Sequence, residues 1–560
     1  MPTFPRILRR LKRRKCALPE PRKQGSNIPN HLYSQYLTRH PRMFSEFRES
    51  LVRAYKRRLN TQFQFFLSIN SLDDIALCRT LNSLTQQSYP NWKCFIFTEL
   101  SPIEHEHVIR LIETYNREFP QKLSVSTRPP KEILEEGAFI SFISPGDILE
   151  LTTLEKIVSL NDSQSADIIY TDHDQINVCL EQTNPQFKPD WSPELLLSHN
   201  YIGPAVFFSY SLLQTIDIPT QPNKEEFAYD LLLRASEHAK SILHLPQILF
   251  HASNKHLQNA NAIIQPLREA INRRHLPCDI KLHGDRPVAR LIPNASLPIP
   301  PVTILIPTKD NIDVLRPCLD SLRKTEYENY EILIIDNGSR GSTLSYLKRH
   351  PARVVRIETP EFNFSHIHNA CMEHVHTEHI VFLNNDTEVI CKDWLTEMMF
   401  AMMLDERIGA VGAKLLYPNR SVQHAGVSVR QNGSPIHLHV ALDADEGGYA
   451  YTNQTLRNVN AVTAACLLTR KSLFENIGGF DEKQFPVTYG DVDFCLRLRQ
   501  QGFRIVWSPF ANLIHREAAS RGIYGDFAAL ERLRQRWHQM IKYDPYISSD
   551  LRTKQYLPSL

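Results

Sequence analysis

The sequence predicts an α/β fold with mostly parallel sheets, and it predicts that this fold occurs twice. From about residue 63 onward, continuous apolar runs of strand length alternate with helical patterns. That alternation is typical of parallel sheets covered by helices on both faces. A helix followed by a strand then recurs without a gap, because residues 81–98 align with residues 319–336. Such internal repetition indicates two related domains.

Composition excludes several classes of protein. The chain has 560 residues, too many for one core, and its 42% apolar and 22% charged content is ordinary for a globular protein. A net charge of +3 gives no general affinity for nucleic acid. None of the ten cysteines forms a C-x-x-C pair, so neither a zinc site nor a disulfide framework is expected, and a cytoplasmic location is favoured.

The N-terminal segment, residues 1–62, is predicted to be a basic tail with one helix. Residues 1–24 carry nine Lys or Arg and one acid, and Phe4, Ile7, Leu8 and Leu11 follow helical spacing. A short helix on an anionic membrane surface would have this pattern, which would place the protein at the inner face of the cell membrane. A disordered basic tail is the alternative, because Pro2 and Pro5 shorten any helix.

The remaining boundaries follow from the repeat. The first domain is expected at 63–290, a Pro-rich linker at 291–301, the second domain at 302–522 and a helical C-terminal segment at 523–560.

Polar side chains follow three apolar strands of the second domain. The run 302–307 stops at Pro307 and leads to Thr308, the run 330–339 first turns polar at Asp336, and the run 379–389 breaks at residues 384–386. Because ligands bind beyond the carboxyl ends of strands in an open parallel sheet, we expect these side chains to share one edge. The G-x-G-x-x-G and Walker A loops are both absent, so a bound diphosphate would need a metal ion.

Two residues could ligate that ion. Asp386 offers a carboxylate oxygen and His515 an imidazole nitrogen, which suits Mn²⁺ or Mg²⁺ completed by phosphate and water. Both residues could instead have purely structural roles. An Asp after a strand is often a turn residue, and a lone His is often part of the packing.

The stretch 489–515 contains two carboxylates at the start of a predicted helix. Val492, Cys495 and Leu496 have helical spacing, so Asp491 and Asp493 lie on different faces. One can face a cleft while the other supports the helix start. Alternatively, both only stabilise the first turn through the helix dipole.

These motifs together resemble glycosyltransferase family 2. The segments PTKD, IIDNGS and FLNNDTEV, and the run VNAVTAACLLTRKSLFENIGGFDE continuing to YGDVDFCLRLRQQGFRIVWSPFANLIHREAASRG, follow the family pattern in order over about 220 residues of the second domain. The resemblance implies tandem GT-A domains and a rhamnosyltransferase-like enzyme of bacterial surface polysaccharide synthesis. Its substrates would be a nucleotide-sugar donor and a glycan or lipid-linked glycan acceptor.

The resemblance also implies roles for the residues at the predicted edge. Asp336 would bind the nucleobase, Pro307 and Thr308 would lie against the nucleoside, and Asn385 would sit near the ribose. Asp386 would hold the metal, with His515 as a further metal ligand or a diphosphate contact. Asp491 would be the general base of an inverting transfer, and Asp493 would support the helix start.

The first domain resembles the same family but has lost key positions. Thr98 aligns with Asp336 and Ala228 with Asp491, while counting from Phe142 against Phe382 places Gly146, rather than Asp147, opposite Asp386. We therefore expect this domain not to transfer sugar. Two alternatives are a tandem enzyme with both domains active and a non-catalytic carbohydrate-binding or assembly protein.

Overall fold

The structure is a computed structural model that describes residues 61–177, 181–219, 226–253, 260–284, 286–429, 432–516, 526–548 and 551. The basic tail and helix expected within residues 1–62 lie outside these ranges, except for the last two residues. In the described part of the chain, no helix combines the length and the apolar character needed to cross a membrane.

The first half of the chain builds a nine-stranded sheet and a small hairpin. The strands of the sheet are β1 Gln62–Ile69, β2 Trp92–Thr98, β3 Leu123–Val125, β4 Ala138–Ile143, β5 Ile148–Leu149, β6 Ile168–Ile176, β7 Gln182–Gln186, β8 Val206–Ser209 and β9 Ile242–Ser253, and the hairpin is β10 Cys278–Leu282 with β11 Ala289–Pro293. The helices are α1 Asp74–Thr85, α2 Pro102–Glu118, α3 Thr153–Gln164, α4 Pro193–Leu196, α5 Tyr210–Gln214, α6 Phe227–His238 and α7 Ile264–Arg273.

The second half builds a ten-stranded sheet and a second hairpin. The strands of the sheet are β12 Val302–Thr308, β13 Tyr330–Asp336, β14 Arg353–Arg356, β15 His379–Leu383, β16 Thr387–Val389, β17 Ile408–Leu416, β18 Val422–His424, β21 Arg457–Asn458, β22 Cys466–Arg470 and β23 Arg504–His515, and the hairpin is β19 Val427–Val429 with β20 Pro435–His437. The helices are α8 Ile312–Leu322, α9 Gly341–Leu347, α10 Phe364–Cys371, α11 Trp394–Met403, α12 Lys471–Asn476, α13 Gly490–Gln500 and α14 Phe527–Trp537.

The two sheets share one connection plan. The first has the order β3-β2-β1-β4-β8-β6-β9-β5 and the second β14-β13-β12-β15-β22-β17-β23-β16. The long ladders are parallel in both, as in the pairs β1–β2, β6–β9, β12–β13 and β17–β23, whereas short strands such as β5 and β16 add antiparallel pairs. The predicted α/β class with mostly parallel sheets is therefore confirmed.

Several elements differ in length from the sequence prediction. The short apolar run 503–507, before Pro509, predicts a strand of that length. In the structure the strand continues to His515, because a shift of register between Ser508 and Asn512 accommodates Pro509. Likewise β12 runs through Pro307 to Thr308, since β15 pairs only as far as Leu305 and needs no donor from the proline. The Pro-rich stretch 291–301 begins inside β11, where Ile292 pairs with Asp279.

Candidate active site

The nucleotide side of the candidate site lies where β12 and β13 end. Parallel pairing places Thr308 beside Asp336, as the strand pattern predicted. Asp336 is buried, and its Oδ1 accepts a hydrogen bond from Ser339 N at 2.8 Å. Its Oδ2 lies 3.1 Å from Arg356 Nη1, so the carboxylate is anchored at both oxygens.

Asn385 joins this edge from the next strand. Its Nδ2 donates to Thr308 Oγ1 at 3.2 Å. The loop between β15 and β16 thus lies directly beside the ends of β12 and β13. The structure brings together Pro307, Thr308, Asp336 and Asn385 on one continuous rim, as expected for strand ends in an open sheet.

Asp386 and His515 meet at the far end of the same rim. Antiparallel pairing of Thr387 with His515 sets them side by side, with Asp386 Oδ1 3.2 Å from His515 Nε2. Both side chains are about nine-tenths buried. A carboxylate oxygen and an imidazole nitrogen therefore converge on one point.

The tautomer of His515 follows from Gln423, a residue that the sequence did not single out. Gln423 Nε2 donates to the His515 carbonyl at 3.1 Å, which fixes the amide so that Oε1 faces His515 Nδ1 at 2.7 Å. His515 Nδ1 must then carry the proton. Nε2 lies 3.2 Å from Asp386 Oδ1 and 3.4 Å from Asn384 Nδ2.

This donor pair fits a divalent cation. Two neighbouring ligands of an octahedral ion with bonds of about 2.1 Å are separated by about 3 Å, close to the observed separation of 3.2 Å. Among the residues that the structure describes, no group of three or more His, Cys, Asp or Glu forms a cation site. Phosphate oxygens and water would have to supply the other ligands.

Asp491 lies at the second residue of α13 and is half-buried. Its Oδ1 accepts from Val492 N at 2.8 Å and its Oδ2 from Ala464 N at 3.0 Å. The next residue, Ala465, accepts a hydrogen bond from Asn384 N at 3.0 Å through its carbonyl. Residues 464–465 therefore connect the Asp491 carboxylate to the loop that carries Asp386. Each carboxylate oxygen retains capacity for a further hydrogen bond.

Asp493 has a different role from the helix-start support that was expected. It lies in the first turn of α13, but no side chain caps this helix. Its buried carboxylate instead contacts Arg497 Nε at 2.8 Å, Arg536 Nη1 at 2.9 Å and Trp537 Nε1 at 2.9 Å. Asp493 anchors α14 to α13, because three side-chain donors reach it and the backbone N–H groups do not.

The equivalent edge of the first sheet allows the aligned positions to be compared directly. Ile148 pairs with His251 as Thr387 pairs with His515, so Asp147 is the equivalent of Asp386. Counting from Phe142 gave Gly146 because the loop before β5 is one residue longer than the loop before β16. The Asp147 oxygens accept from Ser144 N at 2.8 Å and Ser253 N at 2.9 Å.

His251 is held between two carboxylates. Asp174 binds its Nδ1, and Glu150 Oε1 lies 2.8 Å from its Nε2. Burial lowers the pKa of His251, but the hydrogen bonds and charges of Asp174 and Glu150 outweigh it and raise the pKa to about 9. A protonated imidazole has no lone pair for a metal, so this pair differs chemically from Asp386 and His515.

The base position of the first half is also altered. Ala228 is the second residue of α6, as Asp491 is of α13. The alignment is supported by a shared ion pair, since Asp230 contacts Arg234 Nε at 2.9 Å as Asp493 contacts Arg497 Nε at 2.8 Å. Thr98 likewise ends β2 where Asp336 ends β13.

Comparisons with known proteins match part of the second half of the chain to a family model. Residues 303–478 match the family model described as "Glycosyl transferase family 2". The chain is 32% identical to an uncharacterized protein of Sinorhizobium fredii, over 80% of this chain and 52% of the relative. It is 31% identical to an O-antigen biosynthesis protein of Myxococcus xanthus, over 86% of this chain and 39% of the relative. The chain thus spans about half, or less, of the length of these two relatives.

More distant proteins match a smaller part of the chain. A rhamnosyltransferase of Escherichia coli is 24% identical over 38% of this chain and 83% of its own length. A solved mannosyltransferase of Pyrobaculum calidifontis, in complex with GDP-Man and Mn²⁺, is 19% identical over 40% of this chain and 58% of that chain, with a TM-score of 0.29. The predicted resemblance to this family is confirmed by the sequence matches, and the residues that match the family model lie in the second half of the chain.

Proposed function

We propose that the protein is an inverting glycosyltransferase that moves a sugar from a nucleotide diphosphate to a hydroxyl of a glycan acceptor. The observation that supports this best is the shared rim, on which residues 464–465 link Asp491 to the loop carrying Asp386. In-line displacement at an anomeric carbon needs a proton acceptor and a positive charge at the leaving group. The rim offers groups for both.

In the proposed reaction Asp491 accepts the proton of the acceptor hydroxyl. The acceptor oxygen forms a bond to the anomeric carbon while the bond from that carbon to the diphosphate oxygen breaks. Two backbone N–H groups hold the Asp491 carboxylate in place. The group that takes the proton is thereby fixed before the acceptor arrives.

Asp386 and His515 would hold a divalent ion, Mn²⁺ or Mg²⁺. When bound, the ion would stabilise the negative charge that develops on the departing diphosphate. At the other end of the rim, Asp336 would accept hydrogen bonds from the nucleobase, while Thr308 and Pro307 would lie against the nucleoside and Asn385 near the ribose. Arg356 adds to the predicted set, since its Nη1 lies 3.1 Å from Asp336 Oδ2 and holds that carboxylate in place.

We further propose tandem GT-A domains at 63–290 and 302–522, with transfer confined to the second. Ala228 cannot take a proton, and His251, which Asp174 and Glu150 hold protonated beside Asp147, offers no lone pair to a metal. A tandem enzyme with two active domains is therefore disfavoured.

The names of relatives from O-antigen and rhamnosyl transfer support a surface polysaccharide or lipid-linked glycan as acceptor. Docking to an anionic membrane through residues 1–24 is a separate proposal, tested by vesicle co-sedimentation with and without them.

The decisive test is Asp491→Asn in an assay of sugar transfer and donor hydrolysis with a panel of nucleotide sugars and Mn²⁺. We expect activity to fall by about 10²- to 10⁴-fold, because an amide cannot take the proton. Mn²⁺-dependent donor binding should persist, measured as a donor-induced rise in melting temperature. The control Asp320→Asn changes an exposed carboxylate and should leave activity intact.

Two outcomes would contradict the proposal. If Asp491→Asn remained active while Asp147→Asn or His251→Gln abolished transfer, the first domain would be the active one. If no nucleotide sugar were turned over with Mn²⁺ by the unsubstituted protein, a non-catalytic carbohydrate-binding role would be the better account.

A further inference from the structure

Phe527 is the most exposed large apolar side chain among the described residues, at 83%. It is the first residue of α14. Single exposed apolar residues are common on protein surfaces and need no function. The position of this one is informative, because α14 is bound to α13, the helix that carries Asp491.

The N terminus of α14 is fixed against the turn that precedes Asp491. Asp526 caps the helix, since its Oδ1 accepts a hydrogen bond from Ala529 N at 2.9 Å. Its Oδ2 lies 3.5 Å from Thr488 Oγ1, which donates to it. Thr488 is three residues before Asp491, so the exposed ring of Phe527 adjoins the residue that contacts this turn.

Tyr489 links Asp526 electrostatically to Asp491. Burial, followed by the charge of Asp526, raises the pKa of the Tyr489 hydroxyl, and Asp491 adds to this effect while Arg534 opposes it. Both carboxylates therefore lie within electrostatic reach of one hydroxyl. Tyr489 also has a left-handed backbone with φ of 62°, a conformation that persists in a residue with a Cβ only where its surroundings enforce it.

A second route also joins α14 to the proposed base. Arg534 Nη2 donates to Ser434 Oγ at 2.9 Å, next to β20 of the hairpin. In the other strand of that hairpin, Val427 N donates to the carbonyl of Ala461 at 2.8 Å. Ala461 is three residues before the N–H group that holds Asp491. The position of α14 relative to the base is therefore fixed from two sides.

The start of α14 offers the two kinds of contact that a sugar ring needs. The C–H groups on one face of a pyranose pack well against the negative face of an aromatic ring such as that of Phe527. Sugar hydroxyls can donate to the Asp526 carboxylate, because each of its oxygens can accept one bond more than it receives here. A hydrocarbon chain would gain nothing from Asp526, and an anionic group would be repelled by it.

We propose that Phe527 binds the acceptor, with one sugar ring of the acceptor glycan stacked on its phenyl ring and a sugar hydroxyl on Asp526. That this sugar belongs to the acceptor rests on the proposed function, in which Asp491 takes the proton of an acceptor hydroxyl. Because the turn that Asp526 contacts leads directly to Asp491, the stacked ring is the sugar that carries the reacting hydroxyl or the sugar linked to it.

The test is titration of the full chain, by saturation-transfer NMR, with methyl glycosides of hexoses, deoxyhexoses and N-acetylhexosamines. We expect saturable binding of at least one of them. Phe527→Ala should weaken that binding by about 3- to 10-fold, because the stacking contact is lost. Phe527→Trp keeps an aromatic ring, so it should retain the affinity, and its indole fluorescence should change when the glycoside binds.

The matched control is Ile103→Ala, which removes a side chain that is 82% exposed at the start of α2 and should leave glycoside binding unchanged. Two further measurements separate this inference from the proposed transfer. Asp491→Asn should still bind the glycoside. In Phe527→Ala the donor-induced rise in melting temperature with Mn²⁺ should persist, so that lost turnover appears as a raised KM for the glycoside rather than a lower kcat.

Failure of every glycoside to bind the unsubstituted protein would overturn the inference, as would equal affinity in Phe527→Ala. Loss of co-sedimentation with phosphatidylglycerol vesicles in Phe527→Ala would assign the ring to a membrane contact instead. A change in oligomeric state of that variant, measured by light scattering, would assign it to a second copy of the chain. If Asp491→Asn still transferred sugar while Phe527→Ala lost glycoside binding, sugar binding would stand and the proposed base would be wrong.

Discussion

At the scale of single residues, the orientation of His515 depends on one amide. Gln423 Oε1 accepts the Nδ1 proton at 2.7 Å and leaves Nε2 for the metal. Loss of such an outer partner typically weakens metal binding about 10- to 100-fold. We therefore expect Gln423→Met to weaken Mn²⁺ binding by that factor, measured by electron paramagnetic resonance of free Mn²⁺.

The matched control is Gln423→Glu, which restores an acceptor for the Nδ1 proton and should recover most of the affinity. Equal Mn²⁺ affinity in Gln423→Met and the unsubstituted protein would show that His515 is not oriented in this way, or is not a ligand.

His251 gives a prediction about pH at the same scale. Its folded-state pKa of about 9 exceeds the ordinary unfolded value of about 6.5, so the folded state binds a proton that the unfolded state has lost. The stabilisation is complete below about pH 6.5 and disappears as the pH rises through 9. The difference in unfolding free energy between the unsubstituted protein and His251→Gln should therefore shrink between pH 7 and pH 9.5.

Denaturant unfolding at several pH values measures this difference. Other buried groups, such as Lys188 with a pKa lowered to about 7 by burial, also change stability with pH. Their contributions are common to both proteins and cancel in the comparison. A difference that stayed constant over this range would mean that His251 is neutral in the folded protein.

The sequence predicted where Asp336, Asp386 and Asp491 lie in the fold, because each follows an apolar strand or begins a helix. Their roles remain predictions. The sequence did not predict Gln423 or Arg356, because each reaches the site from a different short strand and has no motif of its own. The equivalence of Asp147 was missed for a related reason: only strand register reveals the extra residue before β5.

At the scale of elements, α14 supports the helix that carries the proposed base. Trp537 Nε1 donates to the Asp493 carboxylate at 2.9 Å, two residues beyond Asp491. A hydrogen bond to a charged group contributes about 1.5–3 kcal/mol. Trp537→Phe keeps the buried ring but removes this donor, so we expect a loss of about 2 kcal/mol in unfolding free energy together with a fall in kcat.

The control for this prediction is Gln535→Met, on the exposed face of the same helix, which should stay within about 0.5 kcal/mol. Unchanged stability and kcat in Trp537→Phe would show that α14 does not position α13.

The sequence predicted the type of these elements better than their extent. Apolar periodicity identified the strands that end at Asp336 and Leu383 and the helix that follows Asp491, since each buries a continuous face. It ended β23 too early, because a proline usually stops a strand and the local shift of register that tolerates Pro509 depends on pairing with β17.

At the scale of the whole molecule, the two halves are packed through one apolar core. Buried side chains of both sheets, from Phe66 in the first to Leu513 in the second, belong to a single cluster. Ser192 Oγ also donates to Asn458 Oδ1 across the boundary at 2.7 Å. The halves should therefore unfold together, although the sequence repeat alone would suggest two independent units.

The ion pair of Arg504 tests this coupling. Arg504 Nη2, in the second half, lies 2.8 Å from Glu194 Oε1 in the first and 3.1 Å from Asp405 Oδ2. Both members of the cross-boundary pair are largely buried, with side chains 15% and 3% exposed. Removing one partner of a buried pair leaves an uncompensated charge and costs about 3–5 kcal/mol.

We expect Arg504→Met to lower the unfolding free energy by about 3 kcal/mol or more. Calorimetry should show one unfolding transition for the whole chain, at a lower melting temperature than in the unsubstituted protein. Glu194→Gln combined with Arg504→Met should recover part of the loss, because the buried charge on Glu194 is then gone. Arg110→Met removes an exposed pair with Glu106 and should leave the transition temperature unchanged. Two separate transitions in the unsubstituted protein would contradict the coupling, since each half would then be stable without the contacts that join them.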